Sequence, residues 1–234
     1  MTSPQRVTQE RIYPPGEQVI DYVHRSVGST RFRRGFRVVS VLFSILGQLK
    51  SFGRANLPTK DNFLLLANHV SYIDPFVIAT AANQELHFMT RDDALTWPLI
   101  GSMLKFFNGY PVKRGTPDLK ALKHTISLLN SGKPVLLFPE GTRSADGQLG
   151  SATDGVGFIT KYAQVPTIPV FIGGTEKILS RSESLSLRTK ITVTFGTPLD
   201  FSDLATESRR QQYRLISERI MDEIAQLRKQ RGYD

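Results

Sequence analysis

Phe63-Leu64-Leu65-Leu66-Ala67-Asn68-His69-Val70-Ser71-Tyr72-Ile73-Asp74-Pro75 opens as an unbroken apolar run and turns polar at Asn68, placing an imidazole five positions before a carboxylate. A short apolar run without alternation, bounded by turn-forming residues, predicts a buried strand over 62–67. Pro75 opens a predicted helix over 75–82, because its fixed φ suits a first helical turn. Strand, loop and helix in that order indicate an α/β fold, whose chemistry gathers in the loops beyond the strand ends.

A second segment repeats the arrangement. Val135-Leu136-Leu137-Phe138 is apolar and leads into Pro139-Glu140-Gly141-Thr142-Arg143-Ser144, a carboxylate and a guanidinium around a glycine turn. Between the two segments Thr116-Pro117 is a cap and first-turn signal, Leu119, Leu122, Ile126 and Leu129 share one helical face, and Gly132 ends it. Strand, helix, strand implies a right-handed parallel crossover, which brings His69 and Glu140 to one edge of a sheet. Further strands are expected over 85–90, 109–113, 167–172 and 189–195. A helix or a pair of short helices is expected over 94–107, and helices over 153–164 and 208–230, the last with Tyr213, Ile216, Ile220, Ile224 and Leu227 at helical spacing. The expected fold is α/β, a mostly parallel central sheet flanked by helices.

Histidine is the side chain best suited to take a proton near neutral pH, and a carboxylate beside it fixes the tautomer and stabilises the imidazolium. Asp74 has two jobs open to it, orienting His69 or capping the helix at Pro75. With no cysteine in the chain and no Gly-x-Ser-x-Gly elbow, a covalent acyl-enzyme is poorly supported. His69 is then left to activate a hydroxyl of the substrate, with Arg143 as the planar fork that holds an anionic group. His124, on a packing helix, is read as structural.

At 234 residues with 40% hydrophobic content, the chain supports one substantial core. The four histidines show no zinc spacing, and no metal is expected. A net charge of +9 calls for an anionic partner. Nucleic acid is disfavoured, because the basic residues lack interleaved aromatic platforms. Position is more informative than the total: Arg31, Arg33, Arg34 and Arg37 precede the apolar run Val38 to Leu46. That run is too short for the roughly 20 residues of a spanning helix. A helix over 36–49 is expected, either packed on the core or lying in an anionic lipid interface. The first thirty residues hold Pro14-Pro15 and several charges, so no signal peptide is expected.

Four blocks occur in order: Asn68-His69 with Asp74, Gly109-Tyr110-Pro111-Val112-Lys113-Arg114, Phe138 to Ser144, and Val165-Pro166-Thr167-Ile168-Pro169-Val170. Over residues 57–198 they resemble the glycerolipid acyltransferases, and the ordered set is far more specific than any one block. The member type most similar acylates 1-acyl-sn-glycerol 3-phosphate to phosphatidic acid. The resemblance implies direct acyl transfer from a thioester, on coenzyme A or acyl carrier protein, to a lysophospholipid hydroxyl, with no further cofactor. Glycerol 3-phosphate and other lysolipids stay open as acceptors, as does a non-catalytic lipid-binding protein of the same fold.

Carried over residue by residue, the resemblance makes His69 the general base and Asp74 its orienter. Arg143 and Arg114, with Lys113, would neutralise the acceptor phosphate, and Glu140 would hydrogen-bond a glycerol hydroxyl or the arginine beside it. Lys113 stands where the family frequently has aspartate, so solvated surface charge is equally open for it. Arg91 and Asp154 also depart from the family pattern. Oxyanion donors are sought in the turns around Gly141 or Asn68. The resemblance also favours the membrane reading, with residues 1–56 as a basic amphipathic N-terminal region on the cytoplasmic face and 57–234 as the acyltransferase domain.

Overall fold

The computed structural model describes residue 35 and residues 47–59, 62–98, 100–113, 118–144, 146–179 and 189–233. Arg31, Arg33, Arg34, Arg37 and Arg114 lie outside them, as does the predicted N-terminal helix up to residue 46, Gly35 excepted.

The apolar run becomes strand β2, Leu64–Ala67, every residue of it buried. Successive side chains of a strand point to opposite faces, and here each face meets its own helical layer. Leu65 and Ala67 join a core with Val77, Ile78, Leu104, Ile168, Val170 and Val193. Leu64 and Leu66 join a second core with Leu129, Val156, Ile159, Ile216, Ile220 and Ile224. A strand covered on both sides has no solvent face to mark with polar residues, hence its unbroken hydrophobicity.

The other strands are β1 (Gly47–Phe52), β3 (His87–Arg91), β4 (Gly109–Val112), β5 (Val135–Leu137), β6 (Thr167–Gly173) and β7 (Thr189–Phe195). They form a seven-stranded sheet in the order β1-β7-β6-β2-β5-β3-β4. β2 pairs in parallel with β5 and β6, and β3 with β5 and β4. β7 runs antiparallel to β6, and β1 parallel to β7. The expected mostly parallel sheet is therefore present, with both motif strands adjacent at its centre.

Helices α1 (Asp74–Ala82) and α2 (Ile100–Phe106) lie on the first face. Helices α3 (Leu119–Asn130), α4 (Asp154–Ala163) and α6 (Arg209–Gln230) cover the second, and α5 is the short Glu176–Leu179. All nine residues of α1 are buried. In α6 the buried positions Ile216, Ile220, Ile224 and Leu227 follow the expected spacing.

Three expectations are corrected. Gly47 to Leu49 end the predicted N-terminal helix but form strand β1, because the outer edge of β7 offers backbone partners from Gly47↔Thr189 to Phe52↔Thr194. A local hydrophobic pattern carries no information about that distant edge. Helix α3 starts at Leu119, and its cap is Asp118, whose Oδ1 accepts from the amides of Lys120 and Ala121. Leu119 is 61% exposed, while Ala121, Thr125, Leu128 and Leu129 supply the buried face.

Candidate active site

Because β2 and β5 run in parallel side by side, the segments after Ala67 and Leu137 leave the sheet at the same edge. Asn68 prolongs β2 with its side chain: Nδ2 donates to the Ile172 carbonyl and Oδ1 accepts from the Ile172 amide, both at 2.8 Å. This amide-for-peptide pairing fastens the strand end to β6. His69 follows, and the second motif grips its main chain from both sides. Its amide donates to Glu140 Oε1 at 3.0 Å, and its carbonyl accepts from the Ser144 amide at 2.8 Å. The imidazole stacks on Phe138, with centroids 3.9 Å apart and planes 18° from parallel.

His69 Nδ1 lies 2.8 Å from Asp74 Oδ2. Asp74 is wholly buried, while the His69 side chain keeps 18% of its surface exposed. The amides of Val70 and Ser71 donate to the same Oδ2 at 2.8 and 2.7 Å, and the Thr175 hydroxyl donates to Oδ1 at 2.6 Å. A carboxylate oxygen accepts, and the other groups at Asp74 are all N–H or O–H donors, so Nδ1 carries the proton and donates. Nε2, which among the described residues has no hydrogen-bond partner, is left with its lone pair.

Asp74 does not cap α1. It is the helix's first residue, Ile73 occupies the cap position, and the amides it binds belong to the preceding loop. The carboxylate therefore serves the imidazole and the loop that carries it together.

Glu140 is spent in a comparable way: Oε1 takes the His69 amide and Oε2 the Gly150 amide, at 3.0 and 2.9 Å. Burial holds this carboxyl above the usual carboxylate range, opposed in part by those two amides. Gly141 turns the chain at φ +67°, and its amide closes the turn onto the Phe138 carbonyl at 3.0 Å. That amide is already engaged, which weakens Gly141 as an oxyanion donor. Arg143 lies with its guanidinium carbon 3.4 Å from the centroid of the half-exposed Tyr72 ring, joining the far ends of the two motifs.

Lys113 follows β4 at the same sheet edge but is exposed, and its amide donates to the α3 cap Asp118. Three strand spacings, roughly 14 Å, separate β4 from β2. His69, Asp74, Glu140, Gly141 and Arg143 are brought together; Lys113 stands apart from them, and Arg114 lies outside the described residues. Thr175, Tyr72 and the ring of Phe138 are site residues that the sequence pattern did not single out. Phe138 and Tyr72 sit inside the motifs, whereas Thr175 is 101 residues from Asp74 and only the strand-ending pair Gly173-Gly174 hints at it. Among the described residues no group of three His, Asp or Glu is placed to hold a metal ion.

An imidazole oriented by a buried carboxylate, its second nitrogen free and a guanidinium beside the loop, suits proton removal from a hydroxyl next to an anionic group. Residues 48–173 match the model of the Acyltransferase family, and the chain belongs to that family. Among its relatives are two proteins named 1-acyl-sn-glycerol-3-phosphate acyltransferase. The one from Bacillus subtilis is 25% identical over 193 residues, 81% of this chain and 92% of the relative. The one from Streptococcus pneumoniae is 28% identical over 193 residues, 81% of this chain and 70% of the relative. A solved structure, the 1-acyl-sn-glycerophosphate (LPA) acyltransferase PlsC of Thermotoga maritima, superposes with a TM-score of 0.64 at 24% identity, covering 83% of this chain and 79% of that one. At that identity the likeness establishes the shared fold.

Proposed function

We propose that this protein transfers an acyl group from an acyl thioester, on coenzyme A or acyl carrier protein, to the free hydroxyl of 1-acyl-sn-glycerol 3-phosphate, giving phosphatidic acid. The observation that carries it is the 2.8 Å contact between His69 Nδ1 and the buried Asp74, in a chain whose relatives bear that name. His69 Nε2 takes the proton of the acceptor hydroxyl as its oxygen attacks the thioester carbonyl. The tetrahedral intermediate collapses with loss of the thiolate, which takes that proton back from the imidazolium. Asp74 keeps the imidazole oriented and offsets its transient charge.

Arg143 and Arg114 would meet the acceptor phosphate, while Lys113, exposed and three strands from β2, takes the alternative role of solvated surface charge. Glu140 acts on the reaction by holding the His69 main chain. The basic N-terminal region would seat the protein peripherally on the cytoplasmic face of a membrane, and the boundary expected after residue 56 moves ahead of β1, because Gly47–Phe52 pairs into the sheet of the catalytic unit. Among the described residues no helix is long and apolar enough to cross a membrane.

The test is incubation of the purified protein with a panel of lysolipids and glycerol 3-phosphate, each with acyl-CoA and with acyl carrier protein donors, products being read by mass spectrometry. Phosphatidic acid should form, and His69→Ala should lose about a hundredfold to ten-thousandfold in rate, the usual worth of a general base. Product from another acceptor alone would reassign the substrate, and full turnover by His69→Ala would remove this mechanism.

A further inference from the structure

We infer that Thr175 is a positioning residue for the reaction, the member of a His69–Asp74–Thr175 relay that holds the second oxygen of the Asp74 carboxylate. The inference rests on the acyl-transfer function proposed above.

The two oxygens of Asp74 are unequally held. Oδ2 accepts from three groups of its own loop: the imidazole and the amides of Val70 and Ser71. Oδ1 accepts, among the described residues, from Thr175 alone, at 2.6 Å. Thr175 and Asp74 are both wholly buried, so this bond is shielded from competing water. An ionised carboxylate is acceptor-only, and the hydroxyl is therefore the donor. Loop donors that converge on Oδ2 locate that oxygen and leave Oδ1 to find its own donor in the protein interior. The Thr175 hydroxyl, from another part of the chain, satisfies Oδ1 and anchors the carboxylate at its second end.

The fold takes care to deliver this hydroxyl. Asn68 holds both backbone polar groups of Ile172, so the end of β6 is fastened directly beside the catalytic loop. Beyond Gly173 the chain turns at Gly174, φ +94°, where a Cβ would come within 2.0 Å of the Lys190 carbonyl. Only glycine fits that left-handed, crowded position. The turn is closed by the Gly174 amide on Glu176 Oε2 at 2.7 Å and by the Ile178 amide on the Thr175 carbonyl at 3.0 Å. Thr175 thus stands on a rigid corner three residues past the Asn68 clamp. A side chain wanted only for packing would not need a hydroxyl aimed at a buried charge.

The test compares Thr175→Val, which keeps shape and loses the donor, with Thr175→Ser, which keeps the donor. In steady-state assays the valine variant should lose about tenfold to a hundredfold in kcat, the scale of one hydrogen bond to a charged group, with acceptor and donor KM little changed. Serine should restore most of the rate. Added to Asp74→Asn, the valine change should cost almost nothing more, because both act through the same imidazole. Should the valine protein not fold, Thr175→Ala carries the same expectations. Wild-type kcat in a folded variant without the hydroxyl, or full additivity with Asp74→Asn, overturns the inference. An active His69→Ala control would instead overturn the acyl-transfer mechanism itself, so the two failures are told apart.

Discussion

The His69 amide donates to Glu140 Oε1 at 3.0 Å, so the histidine of the first motif hangs on the carboxylate of the second. The other oxygen of Glu140 holds Gly150, and one side chain thereby joins the loop after β2 to two points of the loop after β5. Its position after β5 and that of His69 after the neighbouring β2 make this possible.

Glu140→Gln should therefore lower both kcat and thermal stability, because the glutamine NH2 would face an amide donor where an oxygen now accepts. The pH dependence has a definite sign. Burial raises the folded-state pKa of Glu140 above its unfolded value, so the folded protein holds the proton longer. The wild-type advantage over Glu140→Gln should be largest below about pH 4.3, the ordinary glutamate value, and shrink as pH rises until the folded carboxyl has ionised. Melting curves across a pH series check it; an advantage growing with pH would mean the two amides outweigh burial.

Asp74→Asn should cost both activity and stability. The corresponding change in a serine-protease triad lowers kcat on the order of ten-thousandfold through the wrong tautomer, and a similar loss is expected here. Stability should also fall, since the new NH2 meets at least one of the present donors in a site with no solvent access. Turnover and melting temperature measured together check this. A cooler-melting variant with full turnover would assign Asp74 to the loop alone.

The guanidinium carbon of Arg143 lies 3.4 Å from the Tyr72 ring centroid, so the proposed phosphate role of Arg143 and its contact with Tyr72 can be tested separately. Arg143→Ala should raise the acceptor KM and leave the donor KM nearly unchanged, because only the acceptor bears the phosphate. Arg143→Lys should recover part of the loss, since the bidentate fork is missing. Tyr72→Leu should raise the acceptor KM by a few fold, in line with about 0.5–1 kcal/mol for an exposed cation–π contact, while Tyr72→Phe stays near wild type. Equal effects on both substrates would point to a structural role.

Replacing Arg31, Arg33, Arg34 and Arg37 together by Gln should weaken binding to anionic vesicles by orders of magnitude, at about 1 kcal/mol for each cation near the surface. Neutral vesicles should show little difference. Activity on a soluble short-chain acceptor should survive. Cosedimentation with vesicles of each composition measures it, and unchanged binding by the folded variant would sink the lipid-interface role.

The chain's local chemistry was legible in its sequence wherever partners lie within one turn or loop. His69 and Asp74 are five positions apart, and that spacing suffices to join them across a single loop. Continuous burial of β2 and β6, helical spacing in α6 and the order of the four blocks were legible for the same reason: each is set by neighbours along the chain. What tertiary structure alone decided depends on strand order. Gly47 to Phe52 became a strand because β7 exposed an edge to pair with. Glu140 was committed to the His69 and Gly150 amides because β2 and β5 are adjacent, and Thr175 reached Asp74 because β6 flanks β2 on the other side. Hydrogen bonds spanning 71 and 101 residues leave no periodicity to find. They arise only when burial of two apolar faces has already fixed which strands are neighbours.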